Sequence, residues 1–325
     1  MAAHSFGGAV RKVRAAAISP MLLLLLAAFV RAHEGHENVP ASWPEIEISE
    51  VITSALLLLS SVVYLFGVSK LWRTAGRGRG ISMRSAAAFC AGSISLAIAL
   101  VGPFHSLSES LFSAHMTQHE ILMLISAPLI VMGRPQIAFL WALPMAWRRH
   151  VGVITNADAF ETTWRLISGS FAAFLIHAAA LWIWHIPALF DATLESDVIH
   201  AMQHASFFGT ALLFWWAIVN SSLDWKSSFV GVLFLFLTSL HSGILGAFLT
   251  FTREVWYPVY RSTTSTYGLT PLEDQQLGGL IMWVPAGLVY IVAGLFMFAR
   301  LLAQTEKRAL VLDARFLANQ TANDL

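Results

Sequence analysis

SFVGVLFLFLTSLHSGILGAFLTF, residues 228–251, carries no Lys, Arg, Asp or Glu across 24 positions. A helix needs about 20 predominantly apolar residues to cross a bilayer core. Six further apolar runs of similar size lie at about 49–71, 85–102, 110–133, 165–186, 198–219 and 278–300. The whole chain of 325 residues is 57% hydrophobic and only 12% charged, whereas a soluble domain carries roughly a quarter of its residues as charges. The solvent is therefore lipid. The expected fold is an all-α polytopic membrane helix bundle with seven transmembrane helices. The stretch 136–147 is apolar for about twelve residues and contains Pro144, which predicts an interfacial or re-entrant piece.

The first 32 residues read as a signal peptide. Arg11, Lys12 and Arg14 precede a short apolar stretch from Pro20 to Val30, with Val30 and Ala32 at −3 and −1 of a cleavage site. Cleavage leaves His33 at the start of a periplasmic segment, 33–48, that opens HEGHE. Residues 49–302 form the membrane domain, and 303–325 a polar cytoplasmic tail. Loops after the first, third, fifth and seventh runs hold fourteen Lys and Arg, from Lys70 and Arg73 to Arg308 and Arg315. The opposite loops hold Arg253 and Arg261. Positive charge stays inside, so the N-terminus lies outside and the C-terminus inside. The location is the bacterial inner membrane, and Trp43, Trp184, Trp256 and Tyr257 fit an interfacial aromatic belt.

This orientation puts most histidines on one side. Beyond His4 there are eleven, and only His150 falls in a cytoplasmic loop. His33, His36, His105, His115, His119, His185 and His200 lie outside or at outer helix ends, with His204 one turn deeper. His177 and His241 lie near mid-membrane. His115/His119 and His200/His204 are each four apart, which stacks both rings on one helix face about 6 Å apart along the axis. His177 and His185 are rotated by about 80° and can share a cavity but not an ion.

The two pairs sit in similar words, HMTQH and HAMQH. Each follows an outer histidine, His105 in GPFH and His185 in WHIP. The pattern indicates a duplicated hairpin whose two copies bring six histidines to one end of a four-helix unit. Imidazole suits zinc, copper and iron alike; Met116 and Met202 beside the pairs add a soft donor that favours copper(I). The bland alternative is polar packing, strongest for His177 and His241, which can bond across helices. His33 and His36 are either solvated or, after cleavage, a copper(II)-type chelate. The single cysteine, Cys90, excludes an internal disulfide or thiolate cluster. Glu273, Asp274, Gln275 and Gln276 stand at the mouth of the seventh helix, to cap its N-terminus, to support the site or to dock a partner. No phosphate loop, nucleophile elbow or nucleic-acid signature occurs.

Three stretches resemble the multi-pass CtaG family of cytochrome c oxidase assembly factors: HMTQHEILMLISAPLIVMGRP, WHIPALFDATLESDVIHAMQH followed by FFGTALLFWW, and LTPLEDQQLGGLIMWVPAGLVY. The likeness covers roughly Val51 to Leu302. It is distinct from the single-span, cysteine-dependent copper protein that shares the CtaG name. The resemblance implies a non-enzymatic factor that helps copper reach haem-copper oxidase, with cytochrome c oxidase subunits as partners. It implies His115, His119, His185, His200 and His204 as recurring polar positions. The competing readings are a haem b electron-transfer protein with paired axial histidines, a metal transporter, and a membrane di-iron enzyme. The last is disfavoured by the outer placement of the histidines.

Overall fold

The computed structural model describes residues 48–221 and 225–323; the leader, His33 and His36 lie outside them. Among the described residues there is no strand. The helices are α1 (Ile48–Ala75), α2 (Met83–Leu100), α3 (Pro103–Ser110), α4 (Phe112–Met132), α5 (Pro135–Ala142), α6 (Met145–Thr155), α7 (Asp158–Ile167), α8 (Ser170–Trp184), α9 (Pro187–Glu195), α10 (Asp197–Ser221), α11 (Trp225–Phe251) and α12 (Pro271–Asn323). Five of them, α1, α2, α10, α11 and α12, are long and apolar enough to cross a membrane. Two bent pairs, α4–α5 and α7–α8, raise the number to as many as seven. This is a multi-pass membrane protein.

Two apolar runs differ from straight spans. The run at 165–186 is broken at Ser168–Gly169, and α7 meets α8 at 61°, leaving a 15-residue α8. The run at 110–133 forms α4 and turns by 57° into α5 through Arg134, which sits in the left-handed region at φ 53°. Its guanidinium donates to Gly80 O at 3.2 Å. Helix α5, expected as an interfacial or re-entrant piece, packs on α1, where a β-carbon at Gly67 would collide with Ala138 O. Residues beyond 302 continue α12 as one helix.

The duplicated hairpin has a structural counterpart. Each copy runs long helix, short Pro-initiated helix, one extended residue, then the helix that bears the histidine pair. These are α2–α3–Leu111–α4 and α8–α9–Ser196–α10. Gly102 makes the first corner: its φ of 79° needs glycine, its N–H donates to Glu50 Oε1 at 3.0 Å, and Pro103 starts α3.

Helices α11 and α12 touch backbone to backbone. A β-carbon on Gly246 or on Gly279 would come within 2.8 Å or 2.7 Å of the other's carbonyl oxygen. On the other side of α12, Phe112 and Met116 pack over Gly278. The two adjacent glycines of DQQLGGL thus serve two neighbours, and they fix the start of α12 against the start of α4.

Candidate metal centre

Asp274 shows what that fixing achieves. It is fully buried and accepts from Phe112 N–H at 2.7 Å, Ser113 N–H at 3.1 Å and Ser113 Oγ–H at 2.5 Å. The carboxylate caps α4, not its own helix, so of the roles open to this group Asp274 supports a neighbouring helix. Leu111 at the N-cap of α4 has no side-chain acceptor, so the acceptor comes from α12. The N-terminus of α12 is instead closed by a reciprocal box. Thr270 N–H donates to Glu273 Oε2 at 2.8 Å, and Glu273 N–H to Thr270 Oγ1 at 3.2 Å. Gln275 Oε1 accepts from Trp256 N–H at 2.7 Å, its amide donates to Glu254 O, and Gln276 donates to Thr252 O. These residues hold the loop between α11 and α12.

One turn into α4, the two histidine pairs meet. His115 and His119 lie 4.4 Å apart between ring centroids, and His200 and His204 4.3 Å. Across the helices, His115–His200 is 5.1 Å and His119–His204 5.2 Å. One ligand atom each from His115, His200 and His204 lies within 4.8 Å of the other two, and all three residues are buried. Ligands on a single ion at about 2.0–2.1 Å stand about 3.4 Å apart, so rotamer shifts of about an ångström would close the set. The buried nitrogens favour such a guest. Both ring nitrogens of His119 and Nε2 of His204 have no hydrogen-bond partner among the described residues, a cost of about 1–3 kcal/mol for each group left so. Glu120 follows His119, and its Oε2 is likewise buried without a partner.

The glutamine inside each word supports the cluster and is a residue that ligand spacing alone passes over. Gln118 donates through Nε2 to Ala99 O at 2.6 Å and to His105 Nδ1 at 3.1 Å. Gln203 lies 3.1 Å from His115 Nε2. Tyr260, from the loop between α11 and α12, donates to Ser108 O at 3.2 Å and faces His115 Nδ1 at 3.1 Å. Its oxygen then accepts from Nδ1–H, leaving Nε2 as the lone-pair nitrogen. Turning the Gln203 amide to present its NH₂ there also satisfies Gln203 Nε2, which otherwise has no partner among the described residues. The repeat of Gln in both words was the available signal; nothing in the local sequence of residues 256–260, WYPVY, announces Tyr260.

Of the other candidate residues His105 borders the cluster and the rest stand apart. His105 lies on α3, its ring 5.8 Å from His200 and 6.5 Å from His204. His185, just past α8, donates from Nδ1 to Leu181 O at 2.7 Å and packs on Phe190 and Phe207. His177 pairs with Thr210 at 2.9 Å and stacks on Phe214, while His241 packs against Phe174. Met116 is buried towards α12, and Met202 is 51% exposed on the outer side of α10. Above the cluster Phe112, Phe190 and Tyr257 form an aromatic layer with centroids 4.4–5.4 Å apart. Below it Phe207 lies 4.7 Å from His119.

Residues 62–304 match the family of cytochrome c oxidase caa3 assembly factors, Caa3_CtaG. The chain belongs to this family. Both histidine words and the DQQLGG word fall inside the Caa3_CtaG match. Curated relatives include uncharacterized proteins of Mycobacterium bovis and Mycobacterium tuberculosis, each 26% identical over 193 residues, 54% of this chain and 27% of theirs. One of Mycobacterium leprae is 24% identical over 250 residues, 73% of this chain and 37% of its own. The chain thus spans between 27% and 37% of the length of these curated relatives. No solved structure matches it.

Proposed function

We propose that this assembly factor holds a cuprous ion at His115, His200 and His204 on the periplasmic side and passes it to a subunit of cytochrome c oxidase. The observation that carries the reading is three buried imidazole nitrogens within 4.8 Å of one another, in a family of oxidase assembly factors. Imidazole ligates in its neutral form, so the three ligands bring no charge of their own. The cost of burying an ion rises with the square of its charge, so a neutral buried set favours a monovalent soft cation over a divalent one. His119 stands ready as a fourth ligand.

The outer placement of the site draws on charge. Arg134, Arg148 and Lys70 donate to backbone carbonyls around Gly80 and Leu143, at the end of the bundle away from the histidines. A basic end is a cytoplasmic end. Seven spans with the N-terminus outside fit this arrangement. Transient holding without chemistry makes the protein a carrier for copper, not an enzyme.

Haem b is the second reading. Phe190 lies 5.1 Å from His115 and Phe207 4.7 Å from His119, and a macrocycle would have to displace both. Purified protein is expected to show no Soret band. The function itself is tested in cells: a deletion strain should make oxidase polypeptide that lacks copper. Oxidase with its full copper content in that strain refutes the proposal.

A further inference from the structure

The buried histidines have a graded connection to water. Glu109 and His105 are joined, Oε1 to Nε2, at 3.9 Å, with side chains 42% and 16% exposed. Inward from them His200, His204, His119 and His115 are 7%, 3%, 2% and 0% exposed as residues. Ring centroids step from His105 to His200 at 5.8 Å, to His204 at 4.3 Å and to His119 at 5.2 Å. Elsewhere the cluster is roofed by Phe190 and Tyr260 and floored by Phe207.

His105 is aimed by its surroundings. Its Nδ1 accepts from the Gln118 amide, so the proton sits on Nε2, towards Glu109. Gly102 and Glu50 hold the corner that carries it. One imidazole therefore has an inner edge against the HMTQH word and an outer edge against a water-facing carboxylate.

We propose that Glu109 and His105 form the port through which the cation reaches and leaves the inner site. This deepens the copper-holding reading and rests on it. Glu109 captures a cation from water by its charge, His105 takes it as the first imidazole ligand, and His200 receives it next. To ligate, His105 gives up the hydrogen bond from Gln118 and binds through the freed Nδ1 lone pair, while its Nε2–H stays in place; apart from that hydrogen bond only metal–ligand bonds change, and no electron moves. The partner on the outside is a cuprous donor or acceptor able to approach Glu109.

The test follows loading of the full-length protein in detergent with copper(I) supplied as its cationic acetonitrile complex, by rapid mixing, with bicinchoninate added at set times to trap and colour the unbound ion. Wild type should bind copper with a rate that falls as salt rises, because capture is electrostatic. E109Q should load at least about tenfold more slowly and lose most of that salt dependence; E109D should recover both. H105F should also slow loading, while both variants reach the wild-type stoichiometry. Loading by E109Q at the wild-type rate and with the wild-type salt dependence overturns the port. So does a lower copper stoichiometry in H105F, which would make His105 part of the inner site. Wild-type protein that binds no copper refutes the function and the port together, so the two failures are told apart.

Discussion

Asp274→Asn isolates the contact by which α12 organises the site. The carboxylate makes three hydrogen bonds from a fully buried position, at 2.7, 3.1 and 2.5 Å. In the amide one oxygen becomes an NH₂ that faces a backbone N–H. The loss is one charge-assisted hydrogen bond, about 1.5–3 kcal/mol, plus about 1–2 kcal/mol of interaction between the charge and the N-terminus of α4. The lower desolvation cost of an amide offsets part of this. The net destabilisation is about 2–4 kcal/mol, seen as a fall in thermal midpoint on the order of 5–10 °C. Circular dichroism of purified protein in detergent measures it. Ser113→Ala removes only the hydroxyl contact and should cost about 1 kcal/mol. The double variant should be less destabilised than the sum, since the two groups share that bond. A D274N protein within about 0.5 kcal/mol of wild type would refute the cross-helix cap.

Tyr260→Phe removes the acceptor of His115 Nδ1–H; by analogy with lost outer partners of metal-bound histidines, copper(I) affinity should fall about 10–100-fold in a chelator competition. Gly279→Ala places a β-carbon 2.7 Å from Gly246 O and from Thr250 N. Backbone cannot yield cheaply, so a loss of about 1–3 kcal/mol is expected in the same unfolding assay.

Much of this was legible in the sequence because lipid imposes simple rules. The uncharged run 228–251 had one solution, and α11 covers it. The HxxQH words fixed which helices face each other, since a four-residue spacing leaves both rings on one side. Breaks were harder. The run through Ser168 and Gly169 is apolar enough to span, and only the packing of α8 on α10 and α11 shows where it bends. Long-range partners were hidden for a different reason. Asp274 lies 162 residues from Phe112, and Tyr260 145 from His115. Neither pair has a local pattern. Met202 neighbours His200 and His204 in sequence, yet helical rotation turns it outward while they turn in.

Copper(I) content per chain, measured on purified protein beside a variant with His115, His200 and His204 replaced by alanine, decides whether these histidines hold the metal. One tightly held ion is expected in the wild type and none in the folded variant. Equal metal content in the two proteins, or none in the wild type after loading with copper(I), would contradict this.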